Sequence, residues 1–362
     1  MGKQATLVLL ACAPCVHAYT SIPAHSDART RPGRAARCPA LAAPTRPPQP
    51  SMQRAQLYLE SRAAHEEATP STFQALLSMT RPRTLPMSAM LLAIGAYGAE
   101  RSWGFMYNRV IQGQLVLVAL LVMATTGASM MVNDYFDFYD GVDALKAGKR
   151  PLVLEHVTPT TVKAACKYLY GIHLALLLFV RHSSLRFCIY ANTLATYLYT
   201  RHFKPIVGVK NFICAGVIAT TVALGAAVVK GTMVGGLASV WPLVTTVGLG
   251  IFHREVMMDV VDLEGDLAAG VRTIPAVFGR CGAIGIATIP LVAAIVVLNR
   301  SWAHGVVRWP LASSAPLLVM CMLAARAAKD VANAPENSPR SLEAVVESAP
   351  ILLFVSLVIS LQ

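Results

Sequence analysis

The sequence predicts an all-α, multi-pass membrane protein with about nine transmembrane helices. Three observations carry that expectation. Hydrophobic residues make up 55% of the 362 residues and charged ones only 14%, and mean hydropathy is +0.53. An ordinary soluble domain carries nearer a quarter charged residues, so the composition argues strongly against a soluble enzyme. From residue 78 onward, apolar segments of the length that crosses a bilayer as a helix recur nine times. Acidic residues are largely kept out of those segments and gather in two short windows at helix ends.

The chain opens on Lys3 and an apolar run, residues 6–16, followed by His17-Ala18. That pattern resembles a secretory signal. Beyond it lies a stretch rich in Arg, Ala, Pro and Ser and nearly free of acids, as in a transit peptide. A signal followed by a transit peptide is the arrangement of plastid proteins in algae with complex plastids. Residues 1–65 are therefore expected to form a disordered targeting leader, and the destination to be a plastid membrane. The leader also supplies half of the net charge of +12: up to residue 56 there are seven basic residues against the single acid Asp27. No basic stripe interleaved with aromatics follows, so no nucleic-acid partner is expected. The eight cysteines are scattered, and most of the later five lie in apolar runs, where they read as small hydrophobes.

The nine expected helices lie near 84–100, 112–133, 161–180, 185–200, 209–229, 233–256, 276–298, 306–327 and 342–361. Of nineteen acids, nine fall in the two windows: Asp134, Asp137, Asp140 and Asp143, then Glu255, Asp259, Asp262, Glu264 and Asp266. Acids at membrane depth are costly and point to function. Four passes separate the windows, an even number, so both are expected on one face. The loop carrying Arg201, Lys204 and Lys210 is expected there too. Loops on that face hold fourteen Lys and Arg after residue 78, against seven on the other. The positive-inside rule makes it the cytoplasm-like side, the stroma in a plastid.

In the first window Asn133, Asp134, Asp137 and Asp140 recur at helical spacing, and Gly141 is expected to break the helix. In the second, Asp259, Asp262 and Asp266 stand at i, i+3 and i+7, which predicts one helical face, extended by Glu255. Facing carboxylate clusters do not stay ionised without cations. Clustered hard oxygens select Mg²⁺ or Ca²⁺, and Mg²⁺ completes its shell with water and phosphate oxygens. Nearby Lys and Arg add positive charge. The combination suits a Mg²⁺-bound diphosphate. An ion pathway is the competing reading for intramembrane acids, but these sit at helix ends, not mid-helix.

At these residues the sequence resembles the UbiA superfamily of intramembrane prenyltransferases. The segments NDYFDFYDGVD (133–143) and DVVDLEGDLAAGVRTIP (259–275) resemble its two Asp-rich motifs. RPRTLP (81–86), KRPLV (149–153) and LYTRHFKPIVGVKN (198–211) resemble further family segments. The resemblance implies nine helices around a central cavity, in a membrane domain spanning 78–362. It implies that Asn133, Asp134 and Asp137 hold one Mg²⁺, and Asp259, Asp262 and Asp266 a second. The diphosphate of a polyprenyl donor would be neutralised by Lys149, Arg150, Tyr199, Arg201, Lys204 and Arg254. One departure stands out: many members carry a third Asp where this chain has Gly141, which leaves the roles of Asp140 and Asp143 open. The expected acceptor is a lipophilic aromatic or quinone precursor. Chlorophyllide or a glyceryl phosphate, and a transporter or scaffold of the same fold, are the alternatives.

Overall fold

The computed structural model describes residues 70–139, 150–203, 206–268, 270–302, 307, 309–333 and 340–362. The leader expected over 1–65 lies outside them. The described elements are helices: α1 (Thr72–Met79), α2 (Leu85–Glu100), α3 (Arg109–Tyr139), α4 (Pro159–Leu177), α5 (Ser183–Leu198), α6 (Val209–Lys230), α7 (Met233–Val261), α8 (Leu263–Ala268), α9 (Ile274–Trp302), α10 (Pro310–Asn333) and α11 (Arg340–Leu361). Nine of these have 16 residues or more, and each overlaps one of the nine segments expected from the sequence. Six among the described residues are long and apolar enough to span a membrane: α3, α6, α7, α9, α10 and α11.

Local chemistry sets the helix ends. Ser71 opens α1 with a capping box, accepting from the Gln74 N–H while the Gln74 side chain accepts from the Ser71 N–H. Thr158 caps α4 with Pro159 at the first helical position, and Thr232 caps α7 through the Gly235 N–H. Val240 inside α7 leaves helical geometry (φ −130°, ψ 18°) two residues before Pro242, which lacks an N–H and bends the helix there.

Helix α6 is central, touching α2, α3, α5 and α7, and α11 packs on α10 and α7 and returns to α2. The α2–α6 crossing depends on two glycines. A Cβ on Gly95 would stand 1.8 Å from the Val222 carbonyl oxygen, and one on Gly225 1.9 Å from that of Leu92. Small residues let backbones meet where lipid gives helices no hydrophobic reason to associate. The largest core cluster joins α2, α6, α7, α9, α10 and α11 through residues such as Val222, Val247, Leu291 and Leu317. Large apolar side chains such as Phe187 and Ile289 stay on the outside, as a lipid-facing surface requires. The protein is an integral membrane protein.

Helices α4 and α5 are two separate helices, not one. Gln114, near the start of α3, holds the turn between them: its Nε2 donates to the Phe179 carbonyl at 3.2 Å, and its Oε1 accepts from the Arg181 N–H at 2.8 Å. At its far end α5 runs into a π-helical turn, Tyr199–Phe203, which packs against α3 and α6. The chain therefore doubles back between α4 and α5, as the parity argument requires.

Candidate active site

The described part of the first window, residues 133–139, occupies the last two turns of α3. Asn133 and Asp137, one turn apart, share a face, and Asn133 Nδ2 donates to Asp137 Oδ2 at 2.9 Å. Asp134, buried, turns to a different pair of partners. Its Oδ1 accepts from Arg81 Nη2 and from Arg150 Nη1, each at 3.2 Å, and Arg150 Nη1 lies 3.4 Å from Oδ2. The two arginines come from the α1–α2 turn and from the segment before α4.

The second window occupies the end of α7 and the short α8. Asp259 is buried, and both its oxygens are engaged: Lys210 Nζ donates to Oδ1 at 2.5 Å and Asn211 Nδ2 to Oδ2 at 2.9 Å. Here the helix expected to carry all three aspartates is interrupted. Helix α7 ends at Val261, and Asp262 (φ −83°, ψ 2°) is its C-cap, with α8 beginning at Leu263. The Asp262 N–H still donates to the Met258 carbonyl and the Asp266 N–H to that of Asp262. The chain thus coils onward past Asp262 with its axis broken there. One turn back, Arg254 Nη1 pairs with Glu255 Oε1 at 2.9 Å, and the Cys214 thiol donates to Glu255. Glu264 pairs with Arg280 at 2.9 Å.

Tyr199 joins the windows. It sits in the π turn within electrostatic reach of Asp137 on α3 and of Glu255 and Asp259 on α7. Both acidic windows therefore lie at one end of the bundle. Lys149, Lys204, Asp140, Gly141 and Asp143 lie outside the described residues, and for Arg201, within the π turn, only the backbone is described. Sequence reasoning did not assign Arg81 or Lys210 to the site. Arg81 stood in a family-like segment and Lys210 beside Asn211, but neither position announced its partner.

Two buried histidines are structural. His253 Nδ1 donates to the Ala287 carbonyl at 3.0 Å, tying α7 to α9. His173 lies between Thr125 (3.2 Å) and Thr193 (2.9 Å), joining α3, α4 and α5.

The site thus offers carboxylate and amide oxygens on two helix ends, with Arg81, Arg150, Lys210 and Arg254 among them. Among the described residues no three His, Cys, Asp or Glu side chains already form a metal cluster. The donor set is nonetheless one of hard oxygens, with Asn133 and Asp137 on one face, and it fits Mg²⁺. Such a site can bind a polyanion and stabilise charge that develops on it.

Comparison with known proteins assigns the fold and family. Residues 85–342 match the UbiA prenyltransferase family. The chain belongs to that family. It is a membrane prenyltransferase. The digeranylgeranylglyceryl phosphate synthase of Halobacterium salinarum is 33% identical over 271 residues, covering 72% of this chain and 90% of the relative. A solved digeranylgeranylglyceryl phosphate synthase superposes with a TM-score of 0.59 at 20% identity, covering 80% of this UbiA protein and 97% of the other chain. A UbiA homologue from Archaeoglobus fulgidus, solved with GPP and Mg²⁺, gives a TM-score of 0.50 at 15% identity over 79% of this chain and 99% of that one. These relatives are archaeal, so the plastid expectation rests on the leader residues alone.

Proposed function

We propose that this UbiA prenyltransferase transfers a polyprenyl group from a polyprenyl diphosphate to a hydroxyl of a glyceryl phosphate acceptor, in a Mg²⁺-dependent reaction. The acceptor is revised from the aromatic or quinone precursor expected at first. The observation that carries the revision is the match, over 90% of the relative's length, to a digeranylgeranylglyceryl phosphate synthase. The site's chemistry agrees. A glyceryl phosphate brings a second anion beside the diphosphate, and four basic side chains, Arg81, Arg150, Lys210 and Arg254, surround the two windows.

Asn133 and Asp137 on α3, and Asp259, Asp262 and Asp266 on α7 and α8, would hold Mg²⁺. Bound there, the ion supplies charge neutralisation for the diphosphate. The residues of the chain do the rest. Arg150, Arg254, Lys149, Lys204 and Arg201 neutralise the departing diphosphate, which leaves with the electron pair of the C1–O bond. Tyr199, between the windows, places its phenol beside that leaving group. The acceptor oxygen bonds to the allylic carbon and gives up its proton to a carboxylate of the site. Apolar helix faces house the chain and keep water from the allylic cation. The leader pattern supports a plastid membrane, and the excess of loop Lys and Arg on the motif side supports a site facing the stroma.

The test is to incubate membranes carrying the full chain with labelled geranylgeranyl diphosphate, Mg²⁺ and either a monoprenylated glyceryl phosphate or dihydroxynaphthoate. An ether lipid and released diphosphate are expected with the first. Product only with the aromatic acceptor would overturn the acceptor; no diphosphate release with any acceptor would overturn the reaction.

A further inference from the structure

We infer that Asp134 is not a metal ligand but a positioning residue, which holds Arg81 and Arg150 as a paired clamp for the diphosphate. The inference deepens the reading above and rests on it. It changes the part played by one of the three residues in the first window.

Four observations carry it. First, direction: at about 100° per residue Asp134 points well away from Asn133 and about 60° from Asp137, and its carboxylate meets arginines from two other segments. Second, occupancy: Oδ1 accepts from both guanidiniums at 3.2 Å, and Oδ2 lies 3.4 Å from Arg150. A carboxylate between two guanidiniums has no electrostatic reason to take up a divalent cation as well, whereas the Lys210–Asp259 pair involves one cation only. Third, exposure: the Asp134 side chain is 3% exposed, while those of Arg81 and Arg150 are 34% and 29% exposed. The anion is the hidden anchor and the cations form the open face. One carboxylate and two guanidiniums leave one net positive charge on that face, presented on rigid forks that suit phosphate oxygens. Fourth, the backbone is committed to the arrangement. Arg81 adopts left-handed geometry (φ 52°), unfavourable for a side-chain-bearing residue, and such strain persists only where the surroundings enforce it. The turn is pressed onto α3 at Gly127, where an added Cβ would stand 3.2 Å from the Thr80 Cβ. Gly127 is seven residues, about two turns, before Asp134 on the same side of α3.

The experiment uses the purified full chain in detergent and two readouts: binding of inorganic diphosphate in EDTA, and the Mg²⁺ concentration giving half-maximal binding of labelled geranylgeranyl diphosphate. Arg81→Lys and Arg150→Lys keep the charge but lose the fork. Each should weaken metal-free diphosphate binding about tenfold or more, the size of a lost charge-assisted hydrogen bond. On an Asp134→Asn background the same Arg→Lys changes should cost less than about twofold, because the guanidiniums are no longer held and the coupling is gone. Asp134→Asn should leave the Mg²⁺ midpoint within about twofold, whereas Asp137→Asn should raise it about tenfold or more, the cost of disturbing a metal site. Asp134→Glu keeps the carboxylate and serves if the Asn variant does not fold; it too should disturb diphosphate binding and spare the Mg²⁺ midpoint. A Mg²⁺ midpoint moved by either Asp134 variant as far as by Asp137→Asn would overturn the inference. So would a full Arg→Lys cost on the Asp134→Asn background, or none in the wild-type chain. These readouts involve no acceptor, so a wrong acceptor assignment fails separately.

Discussion

The two acidic windows carry the same kind of side chain at the same end of the bundle, and the fold treats their buried aspartates differently. Asp134 in the first is sandwiched by two arginines with neither of its neighbours as a hydrogen-bond partner. Asp259 in the second has one lysine on one oxygen and one neutral amide on the other. The first group carries one net positive charge and the second none. A buried carboxylate with two fixed guanidiniums is a permanent structural ion group, while a one-to-one Lys–Asp pair can exchange its cation for another. The comparison teaches that two aspartates of similar motifs are set apart by what faces each of them across the bundle.

The largest expected effect falls on the carboxylates proposed to hold Mg²⁺ in both windows. Asp137→Ala and Asp262→Ala should each reduce diphosphate release about 10²-fold or more, as does removal of a single electrostatic stabiliser at other active sites. Asp140→Ala should cost less, because Gly141 breaks the family pattern at that point. Assays of membranes with matched expression check this. Near-normal turnover by Asp137→Ala would remove the metal site from the first window altogether.

Lys210→Met sharpens the contrast next. Lys210 competes with any cation for Asp259 Oδ1, so its removal should lower the Mg²⁺ midpoint. It also removes a charge from the diphosphate's surroundings, so the affinity for polyprenyl diphosphate should fall about tenfold, as expected for one charge-assisted contact. Mg²⁺ titrations at fixed donor concentration read the first effect and KM the second. A raised Mg²⁺ midpoint would mean that Lys210 organises the site instead of competing within it.

Much of this was legible in the sequence, for physical reasons. Bilayer thickness imposes segment length, so the nine long helices could be counted from apolar runs, α4 and α5 included. The cost of burying carboxylates singled out both windows. What was not legible is long-range pairing. Arg81 and Asp134 are 53 residues apart and Lys210 and Asp259 are 49 apart, and which base meets which acid depends on how the helices are turned in the bundle. Nor did periodicity reveal that α7 stops at Val261. A repeat of i, i+3, i+7 is compatible with both a continuous helix and one interrupted at its C-cap.

A smaller effect, on stability and not on chemistry, is expected deeper in the bundle. Thr125, His173 and Thr193 bond one another between α3, α4 and α5, well away from either window. Thr193→Val keeps the shape but leaves the buried His173 Nε2 without its partner. It should destabilise the protein by about 1–3 kcal/mol, the cost of one unsatisfied buried polar group, with KM and Mg²⁺ dependence unchanged. A thermal shift in detergent beside a turnover assay separates the two. Lost turnover at unchanged stability would place this network in the active site.

The smallest effect should come from the N-terminal end, and where it ceases to be small tests the first window alone. A chain beginning at residue 66 keeps all of α1, and activity in membranes should stay within about twofold, the range of changes that remove no buried contact. A chain beginning at residue 81 loses α1, whose Ala75 and Met79 are buried against Met131 and Val132, directly before Asn133 and Asp134. It also frees the turn that holds Arg81 in left-handed geometry. That truncation should loosen the arginine pair and raise KM for the donor, while the Mg²⁺ response governed by the second window is retained. Equal activity of the two truncated chains would show that α1 does not support the first window, and would remove the asymmetry between the windows on which the reading depends.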